Sequence, residues 1–198
     1  QVDVELVSVV FSASLDEHFV GFGERFDCID QRGKELTLWV EDGATRDLTY
    51  IPVPFYMSSK GYGLWLDTTA KVIARMATDD DPTMVSLRIA SRDVSIRVLL
   101  GDSFKEILSQ YTMIAGRPSV PPAWVFGPWK SRDWQTANQH GIVEDIDQQI
   151  ELGLPSTVKL IDARWEVAYH SFRFDPKKFL DPKAMIDTIH AYGNKLML

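Results

Sequence analysis

A single cysteine, Cys28, serves all 198 residues. That excludes an internal disulfide and any cysteine-based metal site, and it fits a reducing compartment, so the expected location is cytoplasmic. No apolar run reaches the roughly 18 residues a membrane-spanning helix needs. The opening QVDVELVSVV lacks the basic stretch of a secretory signal; it starts inside a strand-like pattern and reads as a cut end. Lysine and arginine are nowhere clustered and the formal charge is −7, which argues against nucleic acid and against an anionic membrane surface as partners. His170 has no Cys or His at ligand spacing, and neither a metal nor a cofactor is expected. Residues 1–100 also lack any helical period of length.

What is present is the apolar content of a globular chain with a sizeable core, enough for one large domain or two modest ones. Val2, Val4 and Leu6 alternate with polar neighbours. Val85, Leu87 and Ile89 alternate, Ser91-Arg92-Asp93 offers a turn, and Val94, Ile96 and Val98 alternate again, which predicts a hairpin. VPFYMSSKGYGLWLDTT predicts another, turning at Ser59-Lys60-Gly61. Short strands at this spacing suggest an antiparallel β-sandwich.

At 103 the rule changes. Phe104, Ile107, Leu108 and Tyr111 form one helical stripe, with Ser103 and Glu106 as a capping box and Gly116-Arg117-Pro118 as the stop. SVPPAW reads as a linker. WVFGPW (124–129) reads as a short strand. Ile142, Ile146, Ile150 and Leu152 mark a helix stopped by Gly153 and Pro155, and residues 156–162 read as a buried strand. Asp181 with Pro182 opens a helix with a stripe of Met185, Ile186, Ile189 and Tyr192; NKLML then begins another buried strand. Strand alternating with helix is the pattern of a parallel sheet, but too few residues remain for a (β/α)8 barrel, which needs roughly 250. The expectation is the opening third of one.

Parallel α/β folds bind ligands at the C-terminal ends of their strands. Asp162 stands where the apolar run 158–161 stops, and Trp129, Lys130, Arg132, Asp133 and Trp134 fall at the expected exit of the preceding strand. Tryptophans beside charged hydrogen-bonding groups suit a sugar: the indole stacks on the C–H face of a pyranose while the charged groups bond its hydroxyls. On position alone Asp162 serves equally as a cap or turn residue, and Trp129 and Trp134 taken singly read as core. Asp175-Pro176 and Asp181-Pro182 read as turn and cap signals without chemistry.

Four stretches in order carry a resemblance to a known family. GFGERFDCIDQRGKELTLWVEDG (21–43), TYIPVPFYMSSKGYGLWLDTT (49–69), PPAWVFGPWKSRDW (121–134) and GLPSTVKLIDARW onward to FRFDPKKFLDPKAMIDTIHAYGNKLML (153–198) resemble successive segments of glycoside hydrolase family 31, the α-glucosidases and α-xylosidases. The resemblance implies a mixed fold: an N-terminal antiparallel, galactose mutarotase-like β-sandwich at 1–102, a helix and linker at 103–120, and the first strands and helices of a truncated (β/α)8 TIM barrel at 121–198. It implies a retaining α-glycosidase acting on terminal α-linked glucosides, xylosides or related sugars, with an α-glycoside as partner and a homo-oligomer of the full-length enzyme left open.

By the same resemblance Asp162 bonds sugar hydroxyls in the −1 subsite, Asp42 after Trp39 reaches in from a sandwich loop, Arg132, Trp134 and Trp129 line the subsite, and Ala163 leaves space near C6. The nucleophile and the acid/base belong to later barrel strands, so no catalytic residue is assigned and residues 1–198 alone are expected to be inactive and, with open sheet edges, poorly stable. Arg164 departs from the family pattern; a rim pair with Asp133 or Glu166 is the expected arrangement, and an anionic or modified sugar the alternative. Outside the hydrolase reading stand a non-catalytic carbohydrate-binding or scaffold protein, a transglycosylase and an α-glucan lyase.

Overall fold

Alternation with period two buries every second side chain wherever one face of a strand is covered, and the stretches Lys34–Leu38, Val72–Met76 and Met84–Ile89 obey it most plainly. In the computed structural model, which describes residues 6–41, 49–132 and 136–198, contacts divide the chain into residues 1–118 and 119–198. The first unit holds β1 (Val7–Ser12), β2 (Phe19–Gly23), β3 (Lys34–Leu38), β4 (Pro52–Ser58), β5 (Tyr62–Asp67), β6 (Val72–Met76), β7 (Met84–Ile89) and β8 (Ser95–Leu100). They form two four-stranded antiparallel sheets, β1-β7-β6-β3 and β2-β4-β5-β8. Leu36, Leu38, Val72, Ala74, Met76, Val85, Leu87 and Ile89 of one sheet meet Phe19, Phe22, Tyr56, Leu64 and Leu66 of the other in one core, the layering of a β-sandwich.

The turn at Ser59-Lys60-Gly61 joins β4 to β5 as expected, with Ser58 opposite Tyr62. The hairpin expected over 85–98 does not exist. β7 pairs with β1 and β6, β8 pairs with β5, and the Ser91–Val94 link passes between sheets. Alternation identifies two half-buried strands; it does not say that they are neighbours.

The Gly21-Phe22-Gly23 stretch is a bulge in β2, where the pairing with β4 slips. A Cβ on Gly21 would stand 2.6 Å from the Phe55 carbonyl oxygen, and one on Gly23 2.0 Å from that of Ile51. Only glycine permits this approach, and the bulge turns both Phe19 and Phe22 into the core.

Helix α1 (Phe104–Ala115) is capped by Ser103 Oγ, which accepts from the Glu106 N–H, while the Glu106 carboxylate accepts from the Asp102 N–H. Its stripe is only partly covered: Ile107 is fully buried and Tyr111 stacks on Phe55 at 4.1 Å, but Phe104 and Leu108 stay 40% and 45% exposed. The helix lies on β5 at Gly63, where an added Cβ would meet Ile107 Cγ2 at 2.5 Å. Gly63→Ala is expected to cost about 1–3 kcal/mol by overpacking, read as a lower urea midpoint; an unchanged midpoint would mean α1 is not held there.

In the second unit a 3-10 turn (Ala123–Phe126) precedes β9 (Trp129–Arg132), then α2 (Gln139–Glu151), β10 (Val158–Ile161), α3 (Pro182–Ala191) and β11 (Lys195–Met197). The strand expected at 124–129 is thus displaced. Pro128 has no N–H to give a ladder, and the Val125 and Gly127 N–H groups close turns onto Pro122 and Trp124, so pairing starts at Trp129. The three strands are parallel in the order β11-β10-β9. Asn138 caps α2 and Asp181 caps α3, each through a bond from the third residue on.

Ile142 and Ile146 of α2 and Met185 and Ile189 of α3 pack with Ile161 on one face of the sheet. Ile150 and Leu152, expected on the same stripe, are 52% and 69% exposed. β11 is not the buried strand expected: Leu196 packs toward the helices, but Lys195 and Met197 face the other way, where no described residue covers them.

Candidate functional site

β10 is the central strand, and its alternation decides what each end offers. Lys159 and Ile161 face the helices; Val158, Leu160 and, in phase with them, Asp162 face the opposite way. Asp162 and Ala163 are exposed at the C-terminal end of the strand, with the Asp162 carboxylate accepting the Ala163 N–H at 2.6 Å. The rest of that carboxylate's acceptor capacity faces outward, the arrangement a hydroxyl-rich ligand needs.

The loop that follows has one shape because two residues hold it. Trp165 is buried against Phe174, ring centroids 4.9 Å apart, and Phe174 in turn packs on Phe179. Glu166 accepts from the His170 N–H, the Phe172 N–H and the Ser171 hydroxyl. Those bonds, the one from Phe172 foremost, hold its carboxyl below the usual carboxylate range, so it stays ionised. Three non-glycine residues, Arg164, His170 and Phe172, take positive φ of 64°, 62° and 50°. Such backbone persists only where its surroundings over-determine it.

The face under α2 carries a different cluster. Asp145, on the buried side of α2, pairs with Lys159 of β10 and accepts from Arg132 Nη1 of β9 at 2.8 Å, with Lys130 Nζ 3.6 Å away. Arg132 also donates to the Gly141 carbonyl at 2.9 Å. Its guanidinium lies so close to the helix that a Cβ on Gly141 would stand 2.8 Å from Cζ. Burial works to raise the Asp145 pKa, but the bond from Lys159 and the charges of Lys159, Lys130 and Arg132 outweigh it and hold the carboxyl below its ordinary value. Burial pushes Lys159 down, against the pull of Asp145.

Of the residues singled out in the sequence, Asp162 and Ala163 stand together at the strand end. Arg132 is opposite Ile161 in register, at the same end but on the helix face, engaged with Asp145 and Gly141. Trp129 opens β9 instead of following it, paired in register with Val158. It shares the face of Asp162 but stands four residues down the sheet, about 13 Å away at 3.3 Å per residue, with its indole N–H donating to the Val125 carbonyl. Asp42 and Trp134 lie outside the described residues, as does Asp133, one of the two partners expected for Arg164. The other, Glu166, has its carboxylate bonded into its own loop.

Reading the sequence missed Lys159 and Asp145 altogether. Asp145 falls three residues after Ile142 on the apolar stripe, and a charge on a covered face requires an opposite charge across from it. Lys178 and Tyr169 were missed as well; they line a cavity beside Arg164. Among the described residues no helix is long and apolar enough to cross a membrane, and no group of three or more His, Cys, Asp or Glu could hold a metal ion.

Residues 2–73 match the N-terminal galactose mutarotase-like domain of glycosyl hydrolase family 31, and residues 118–198 match the TIM-barrel domain of the same family. The chain is 30% identical to an α-xylosidase of Lactiplantibacillus pentosus over 93% of its own length and 25% of that protein's. It is 28% identical to an α-glucosidase of Saccharolobus solfataricus, over 96% of its length and 28% of the relative's. Among solved structures, a family 31 dextranase of Flavobacterium johnsoniae complexed with isomaltotriose superimposes with a TM-score of 0.89 at 24% identity, covering 98% of this chain and 24% of that one. The chain thus spans about a quarter of the length of the relatives it matches. With both of its units matched in order by domains of one family, the chain belongs to glycoside hydrolase family 31.

Proposed function

We propose that this chain provides part of the sugar-binding shell of a retaining α-glycosidase, and that its three parallel strands open a (β/α)8 barrel. Asp162 bonds the sugar hydroxyls and Ala163 leaves room beside them; Asp42 and Trp134 join them on the strength of the family resemblance. One observation carries the reading: Asp162 ends the central strand of the parallel sheet on the face away from the helices, the end at which barrel and doubly wound folds bind ligands.

Retention by the family's route takes two carboxylates about 5–5.5 Å apart, one attacking and one protonating the leaving oxygen. Among the described residues, Asp145 and Glu166 do not supply that pair. Asp145 is buried in an ion cluster on the other face, and Glu166 is bonded into its loop. By the family resemblance Asp162 binds rather than attacks, and the reacting pair belongs to later barrel strands.

The protein expressed from its own gene is expected to hydrolyse aryl α-xylosides or α-glucosides and to release the α-anomer first, followed by proton NMR before mutarotation. A β-anomer as first product, or no turnover of any α-glycoside, would sink the reading. Transfer to a sugar acceptor in place of water would appear in the same spectra as lengthened products.

A further inference from the structure

We propose that Glu166 is a positioning residue for the reaction: its carboxylate closes the loop after β10 and thereby fixes the direction in which Asp162 meets the sugar. The inference rests on the α-glycosidase reading and adds to it a residue that acts through Asp162.

Asp162 is aimed by the loop that follows it. Its carboxylate accepts the Ala163 N–H at 2.6 Å, so the first peptide of the loop sets where the side chain points. The chain then reverses at Arg164, with φ of 64°, and Lys178 Nζ holds the Arg164 carbonyl at 2.8 Å. Beyond it the two limbs of the loop join. The Trp165 carbonyl accepts from the Asp175 N–H at 2.9 Å, Glu166 and Phe174 form a β-bridge, and the Val167 N–H donates to the Arg173 carbonyl at 3.1 Å. Residues 165–167, which make these contacts, lie only three to five positions after Asp162.

The tip of the loop has little packing to hold it. Ala168, Tyr169, His170 and Phe172 are exposed and Ser171 is half-buried. One turn, from the Ser171 N–H to the Ala168 carbonyl at 3.1 Å, belongs to the tip itself. The rest is gathered by Glu166. Its Oε1 accepts from the His170 N–H at 3.3 Å, and its Oε2 from the Phe172 N–H at 2.7 Å and the Ser171 hydroxyl at 3.3 Å. His170 and Phe172 both carry positive φ, a conformation that side-chain-bearing residues keep only where something compensates it. The carboxylate, accepting an N–H from each, is that compensation. A loop set in this way gives up no freedom of its own when a ligand arrives, and a binding carboxylate needs a backbone held this firmly.

Glutamine at 166 keeps the size and shape but replaces one acceptor oxygen with an NH2. Turned toward either pair of donors, that NH2 sets donor against donor. The limbs of the loop then lose the contact that draws the tip down, and the peptide that aims Asp162 is no longer fixed.

The test is a double-variant cycle in the protein expressed from its own gene, on an aryl α-glycoside that it turns over. Rates are taken well below each variant's thermal midpoint, so that lost stability alone does not enter them. Glu166→Gln is expected to lower kcat/KM about 10-fold, short of the roughly 100-fold that a 1 Å displacement can cost. The loss should divide between kcat and KM as it does for Asp162→Ala. Glu166→Asp, which keeps the charge on a shorter arm, should recover part of it. Asp162→Ala/Glu166→Gln should match Asp162→Ala within about twofold, because the two residues act as one unit. If Glu166→Gln fails to fold, Ser171→Ala takes its place: it removes one donor, and its smaller loss must likewise vanish in the Asp162→Ala background. Losses that multiply in the double variant, or a Glu166→Gln enzyme within about twofold of the parent, overturn the inference and leave the α-glycosidase reading standing. A parent that turns over no α-glycoside overturns both.

Discussion

Asp145→Ala is expected to lower the unfolding free energy by about 3–5 kcal/mol, the usual consequence of removing one partner from a buried ion pair. Lys159 is 1% exposed and has Asp145 as its counter-charge. Without it an ammonium is left on the covered face of a central strand, where water does not reach. Arg132 and Lys130 are better placed, with side chains 25% and 42% exposed, so the loss falls on Lys159. The double variant Asp145→Leu/Lys159→Met should recover most of the stability, because a buried pair is often no better than apolar residues of like volume.

The acid limb gives a second reading of the same contact. Asp145 has a folded pKa below its unfolded value, so the stability it contributes is present above about pH 4 and is lost as pH falls through the depressed folded value. Urea midpoints taken across that range should converge for the parent and Asp145→Asn at low pH and separate above it. A constant difference, or an Asp145→Ala variant within about 1 kcal/mol of the parent, would mean that Lys159 finds water or another partner.

Why that cluster escaped the sequence is a matter of what periodicity registers. The helical stripe through Ile142 and Ile146 and the apolar run that ends at Ile161 both mark a covered face, and both are right. A charge on either is noise to such a pattern until the two elements are known to touch, and contact between α2 and β10 is a tertiary fact. The same limit explains the misplaced hairpin. Val85 to Ile89 and Ser95 to Leu100 were recognisable as strands, yet partner choice was set by the sandwich and sent them to different sheets. Caps were legible because they are local: Ser103, Asp181 and the Gly61 turn each act within four residues of themselves. Pro128 was also legible, and giving its missing N–H its due would have moved β9 to Trp129.

For the site, the strand end at Asp162 was legible from one apolar run stopping at a carboxylate. The direction of Arg132 was not: a shift in where β9 begins changes which residues lie inside the strand and which beyond it. Arg132 turned out to be strand, on the helix face, where it serves α2. Arg164 carried no local sign of its left-handed backbone, since a non-glycine residue adopts it only when the surrounding loop compels it.

Asp162→Ala, in the protein expressed from its own gene, is expected to lower kcat/KM on its α-glycoside by about 10- to 150-fold, the worth of a charge-assisted hydrogen bond of about 1.5–3 kcal/mol. The size discriminates between roles. A residue that bonds hydroxyls loses one interaction, whereas a nucleophile loses the covalent step, and such removals cost on the order of 10⁴-fold or more in kcat. Asp162→Asn refines the comparison: the amide keeps one acceptor oxygen and the side-chain volume, so a binding role predicts a loss smaller than that of alanine. A nucleophile would lose as much with either substitution. If the hydroxyl bonds strengthen as the ring flattens toward its oxocarbenium-like transition state, the loss appears in kcat as well as in KM; uniform binding would raise KM alone. Kinetics unchanged by alanine would remove Asp162 from the site, and with it the observation on which the functional reading stands.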